Sequence, residues 1–287
     1  MSENPTPATE PDTEPGRRGQ VSLILALVVV ALVLIAGAVV VFGRDTGDEP
    51  TGGAQTSQTT AGVAPSANPE ASGFATPGVD DFGRRVDIPN NPAGQVLPQT
   101  GTPHTPADGD WLTAAPDGTQ GKGGWQRVYG AVVPFSTSDG PTRIVDGLAT
   151  GWSHTPQGCA LAAVYVLYQE LARPDNRLLR ERLMALTPAQ MATYDKALAA
   201  GKLPAVAPEN VTRWMIAFDA FKISSYADDL CTVRLATRAR ADKVGAAQWL
   251  SSEVAMVWDG TWRRRPPPGE GELPQEKVPS LTGWTPW

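Results

Sequence analysis

Followed for the alternation of apolar and polar positions, the chain falls into three unequal parts. From Val21 to Phe42 the run VSLILALVVVALVLIAGAVVVF carries no charge, and Ser22 is its one strongly polar residue. A helix of that length crosses a hydrocarbon core of about 30 Å, so residues 20–43 are expected to form a transmembrane helix. A cleaved signal peptide has a shorter apolar region, about 7–15 residues, ending at small residues. This run ends in VVVFGRD instead, the pattern of a retained signal anchor. Arg17 and Arg18 precede it, and Arg44 follows beside Asp45, Asp48 and Glu49. Because Lys and Arg favour the cytoplasmic side, residues 1–19 are read as a cytoplasmic tail. The expectation is a single-pass plasma-membrane protein with its C-terminal domain extracytoplasmic.

Residues 44–110 show no amphipathic period and are dominated by Gly, Pro, Ser, Thr and Ala. They are expected to form a disordered linker with an r.m.s. span of roughly 45 Å. From residue 111 periodicity returns. WQRVYGAVVPFS, from Trp125, alternates as a strand, and RIVDGLATG reads as a second short one. Thr155 followed by Pro156 is a helix start, with a hydroxyl at the N-cap and a proline at the first helical position. The predicted helix runs from Pro156 to about Ala172, closed by Pro174. Its segment CALAAVYVLY is apolar all round and too short to span a bilayer, which makes it a core helix. NRLLRERLMAL and TPAQMATYDKALAAG read as two more helices, the latter repeating the Thr-Pro start at Thr187 and Pro188 and stopping at Gly201. After KLPAVAPEN the period becomes two. VTRWMIAFDAFKISSYADD and LCTVRLATRAR read as strands joined by a turn at Asp228 and Asp229, and QWLSSEVAMVWDGTW as another with a tight turn. A strand, then helices, then antiparallel strands is the α+β pattern. One domain is expected over 111–266, with 267–287 a Pro-rich tail.

Composition supports that division. All nine tryptophans and all five tyrosines lie at or after Trp111, while Phe74 and Phe82 are the only aromatics between Arg44 and Asp110. So few large side chains do not offset ordering entropy. Charge divides the same way: residues 1–110 hold 5 basic and 13 acidic side chains, residues 111–287 hold 19 and 17. The domain is nearly balanced, so direct nucleic-acid binding is not expected.

Candidate chemistry is sparse. Two histidines, His104 and His154, and two cysteines match no metal-site spacing, and no nucleophile elbow, phosphate loop or dinucleotide fingerprint occurs. No metal, cofactor or catalytic residue is assigned. His154 lies five residues before Cys159, at a helix start that lowers thiol pKa. A catalytic pair would also need an orienting group and an oxyanion site, so a packing or capping role is the preferred reading of His154. Cys159 and Cys231 are either two buried thiols or, outside the membrane, a disulfide pair. Trp284 and Trp287 are unusual in a tail and are read as anchors, to the domain or to a partner.

AVVPFSTSDGPTR, GLATGWSHTPQGCALAA, VAMVWDGTWR and the closing VPSLTGWTPW together resemble the membrane-anchored proteins of actinobacterial conjugative and integrative elements. The resemblance covers about residues 125–287. Outer domains of those proteins look like the NTF2-like cone and are similar to the VirB8 and TcpC components of conjugation machines. That resemblance implies a non-enzymatic scaffold or assembly component of a conjugation-type (type IV-like) transfer apparatus, with other envelope proteins or further copies of itself as partners. It also implies a concave pocket that Asp219 and Glu253 would line, although solvated strand faces account for both residues more simply. The alternative function is a tethered module that binds a small ligand, lipid or cell-wall fragment in that pocket.

Overall fold

The computed structural model describes residues 71–239, 249–267, 273 and 275–287. The expected cytoplasmic tail, the apolar span 20–43 and the first part of the linker lie outside the described residues. Among the described residues no helix is long and apolar enough to cross a membrane.

Three hairpins come first: β1 (Gly78–Val79) with β2 (Arg85–Val86), β3 (Trp125–Val128) with β4 (Ala131–Pro134), and β5 (Arg143–Val145) with β6 (Leu148–Thr150). The helices follow: α1 (Pro156–Ala172), α2 (Arg177–Leu183), α3 (Pro188–Ala199) and the single turn α4 (Glu209–Thr212). Then come β7 (Ala220–Ala227), β8 (Leu230–Arg238), β9 (Trp249–Trp258), β10 (Trp262–Arg265), β11 (Gln275–Val278) and β12 (Thr285–Pro286). These last six form one antiparallel sheet in the order β10-β9-β8-β7-β12, with β11 also paired to β9. The architecture is α+β.

Alternation decides the inner face of that sheet. Phe221, Cys231, Val233, Leu235, Val254, Met256 and Trp262 are all buried on it, whereas Lys222 and Glu253 face solvent. Helix α1 packs on this inner face and meets β4 on its other side. A helix covered from two sides needs an apolar surface all round, and 15 of its 17 residues are buried. Thr155 caps it as the Thr-Pro pair predicts, its hydroxyl accepting the Gly158 N–H at 2.9 Å. Helix α3, a reciprocal capping box at Thr187 and Gln190, has no buried residue.

Five expectations need correction. RIVDGLATG is not one short strand but the hairpin β5–β6, turned at Asp146 (φ 54°) and Gly147 (φ 71°). WQRVYGAVVPFS is a hairpin, turned at Tyr129 (φ 48°) and Gly130 (φ 90°); two central residues at positive φ match the twist of the flanking strands. Val211 does not open a strand. The segment passes through α4 and runs beside β4, where Val132 N–H donates to Met215 O, and β7 begins only at Ala220.

The linker ends earlier than residue 110. Residues 71–110 carry β1 and β2, and their Val86 and Leu97 are part of the core. What substitutes for large aromatics is hydrogen bonding: Gln95 and Gln126 exchange two bonds at 2.7 Å each, and Asp87 accepts the Gly123 N–H at 2.7 Å. Residues 267–287 are likewise not a free tail, since β11 and β12 extend the sheet.

Candidate functional site

At the amino end of α1 the chain passes through Ser153 and His154 before the cap, and every neighbouring element holds it. Trp262 Nε1 donates to Ser153 O at 2.9 Å, and the Tyr226 hydroxyl donates to His154 O at 3.1 Å. The His154 imidazole lies flat on Trp258, centroids 4.2 Å apart and planes 7° apart, and a ring nitrogen bonds Asp228 O in the β7–β8 turn. Trp258, Tyr226 and Trp111 extend the aromatic cluster around the buried Trp262. Burial pushes the Tyr226 phenol up to about 12, with the Asp228 carboxylate adding to the shift, so its hydroxyl stays a donor.

Beneath this cluster Cys159 and Cys231 form a disulfide across 72 residues, with both cysteines fully buried. Their sulfurs are therefore consumed in a bond between α1 and β8, and neither is a thiolate beside His154. On the far side of the cap Asp139 is fully buried. Its carboxylate accepts from the hydroxyls of Thr155 and Ser138 at 2.6 Å each. Burial raises its pKa, and those two bonds oppose the rise. The density of short polar side chains in Ser136-Thr137-Ser138-Asp139 is the sequence signal for this network.

Asp219 and Glu253 do not share a cavity. Asp219, its carboxylate nearly buried, pairs with Arg84 at 3.0 Å and Arg238 at 3.2 Å. Glu253 is exposed on β9, opposite Arg234 in register, with Ser224 Oγ 3.5 Å away. Helix α1 packs against the inner face of the sheet to which both residues belong or adjoin. The described surface carries two open clefts elsewhere. One of about 640 Å³ lies between residues 115–121 and Pro286–Trp287. The other, about 400 Å³, is lined by β5, β6, α2, β10 and the β9–β10 turn.

The two candidate anchors behave differently. Trp287 is buried, edge-on to Trp125 at 5.5 Å and tilted against Phe221 at 4.6 Å. Trp284 lies partly exposed on the outer face, with the Arg234 guanidinium 5.3 Å from its ring. Among the described residues no group of three or more His, Cys, Asp or Glu could hold a metal ion.

Fold and site thus define a disulfide-stapled α+β domain whose sheet is backed by a buried helix. A family described as a domain of unknown function, DUF8175, matches residues 87–286, and the chain belongs to that family. No curated protein and no solved structure matches it.

Proposed function

We propose that this is a non-enzymatic, single-pass envelope protein whose outer domain, of NTF2-like type, makes protein–protein contacts as an assembly component of a conjugation-type transfer apparatus. The resemblance to envelope proteins of conjugative elements supplies the setting. One structural observation favours contacts over ligand capture: α1 packs on the inner face of the sheet, and its Leu161, Val164 and Tyr165 are fully buried. A sheet face covered by the protein's own helix is closed to a glycan or lipid there, which favours recognition on the outer surface.

The test is recovery of the full-length protein from gently crosslinked, detergent-solubilised membranes, with co-purified proteins identified by mass spectrometry. Other envelope transfer components should be present, and deleting residues 71–287 should remove them. A protein recovered alone but carrying a wall fragment or lipid would overturn the proposal in favour of a tethered binding module.

A further inference from the structure

The cleft of about 400 Å³ gathers three arginines from three elements: Arg143 of β5, Arg182 of α2 and Arg263 of β10. Two carboxylates share the lining, Glu181 and Asp259, and both are already engaged. Glu181 is held by Arg177, which lies outside the cleft, and Asp259 by Arg263 at 2.7 Å. Arg263 is further fixed by donating to the carbonyls of Glu181 and Met184. Arg182 meets Asp146 at 2.7 Å with both side chains about half exposed, a type of pair that contributes little. Arg143 has no carboxylate within ion-pair distance among the described residues.

Arg143 is exposed and passes close to Gly151. At Gly151 (φ 83°) the missing side chain leaves it room, since a β-carbon there would stand 3.2 Å from Arg143 Nη1. Apolar surface lies beside the charges at Val145, one of the few exposed large hydrophobic residues. An arginine fork presented beside apolar surface recognises a carboxylate next to an aliphatic side chain. Multiply charged phosphates fit less well, because Glu181 and Asp259 line the same cleft and the domain as a whole carries little net charge.

We propose that this cleft docks an acidic segment of a partner protein, its carboxylate on Arg143 and Arg182 and an apolar neighbour on Val145. This rests on the assembly reading and names the chemistry of the partner. The probe is a fluorescein-labelled octapeptide of alternating Glu and Val, titrated by anisotropy onto the full-length protein in detergent micelles, with a Lys/Val octapeptide as control. Saturable binding is expected for the Glu peptide only, weakening as salt rises toward 1 M, where the Debye length is about 3 Å. Arg143→Glu should weaken it by about tenfold, the scale of one charged hydrogen bond. Arg265→Glu, an exposed arginine outside the cleft, should change it less than about twofold. Equal effects of the two variants, or no binding, would overturn the proposal. In the membrane recovery experiment, Arg143→Glu should lose partners that the wild type retains, with an unchanged unfolding midpoint. If those partners persist, the cleft is not the docking site while the assembly reading stands. If the wild type recovers no partner, that reading fails and the peptide titration alone decides the cleft.

Discussion

Gly158 packs so closely against Ser153 that a β-carbon at 158 would stand 2.9 Å from both the amide nitrogen and the carbonyl carbon of Ser153, and nearer still to its oxygen. The obstacle is backbone, held in turn by Trp262 Nε1 on Ser153 O, and it has no flexible end that can move aside. Gly158→Ala adds helix propensity yet should destabilise by about 3 kcal/mol, the upper range for overpacking. Urea unfolding followed by tryptophan fluorescence measures this. An unchanged midpoint would mean that the 151–155 loop is free to shift.

Cys159–Cys231 closes a loop of 72 residues, for which the chain-entropy relation gives about 4 kcal/mol. Cys159→Ala with Cys231→Ala should lower the unfolding midpoint accordingly. Adding a reductant to the folded wild type should do little, because both sulfur-bearing residues are fully buried. Rapid reduction without denaturant would contradict that burial.

The helical part of this fold was legible because its signals are local. Thr155-Pro156 and Thr187-Pro188 are self-contained start signals, and α1 and α3 begin where they indicate. What the sequence hid depends on distant partners. Val86 and Leu97 are too few to nucleate a core, and they are buried because they join the cluster that β3, β4 and α1 build, with β2 lying beside β3. Tyr129 is not a usual residue at positive φ. It sits there with the Arg173 guanidinium 4.0 Å from its ring, a contact that no local pattern announces. The arginine cleft was equally invisible, since Arg143, Arg182 and Arg263 come from separate stretches of chain.

Two buried carboxylates should pull stability in opposite directions with pH. Asp139 has a folded pKa raised chiefly by burial. Its contribution is fully present below the unfolded value near 3.8 and is lost as pH rises through the folded value. For Asp87, burial is outweighed by the bonds from Arg85 and Gly123, and its pKa is lowered. Its contribution is present above that ordinary value and lost as pH falls through the folded one. Asp139→Asn should therefore gain relative to wild type as pH climbs from about 4 toward neutrality, while the deficit of Asp87→Asn should shrink as pH falls below that value. Urea midpoints against pH for the three proteins give both differences. Parallel curves for wild type and Asp139→Asn would refute the assignment.

The closing tryptophans should separate in a mutational comparison. Trp287→Ala removes a buried ring from contact with Trp125 and Phe221 and should cost about 3 kcal/mol or more. Trp284→Ala removes a partly exposed ring and one cation–π contact, worth about 0.5–1 kcal/mol. Thermal unfolding of both variants tests the order. If Trp284→Ala proves the more damaging, the outer-face segment matters more than its burial implies.

Where the folded unit begins can be decided by truncation. The family match starts at residue 87, but bonds cross that boundary. Gly73 N–H donates to Gln95 Oε1 at 2.7 Å, Phe74 bridges to Pro89, and Arg84 pairs with Asp219. A chain of residues 71–287 should fold, giving sharp near-UV circular dichroism and cooperative unfolding. A chain of 87–287 keeps Val86's neighbours but not Val86 or the Arg84 pair, and should fold with a lower midpoint. Residues 111–287 lack the strands and loops that cover β3, leaving Gln126 without its bonds to Gln95 and Phe135 without Gly94, whose φ of 109° brings the chain onto that ring. A buried amide stripped of its partner costs about 1–3 kcal/mol, and the exposed apolar face adds to that loss. This shortest chain should be expanded or aggregated, and a cooperative transition from it would restore the linker to its full length.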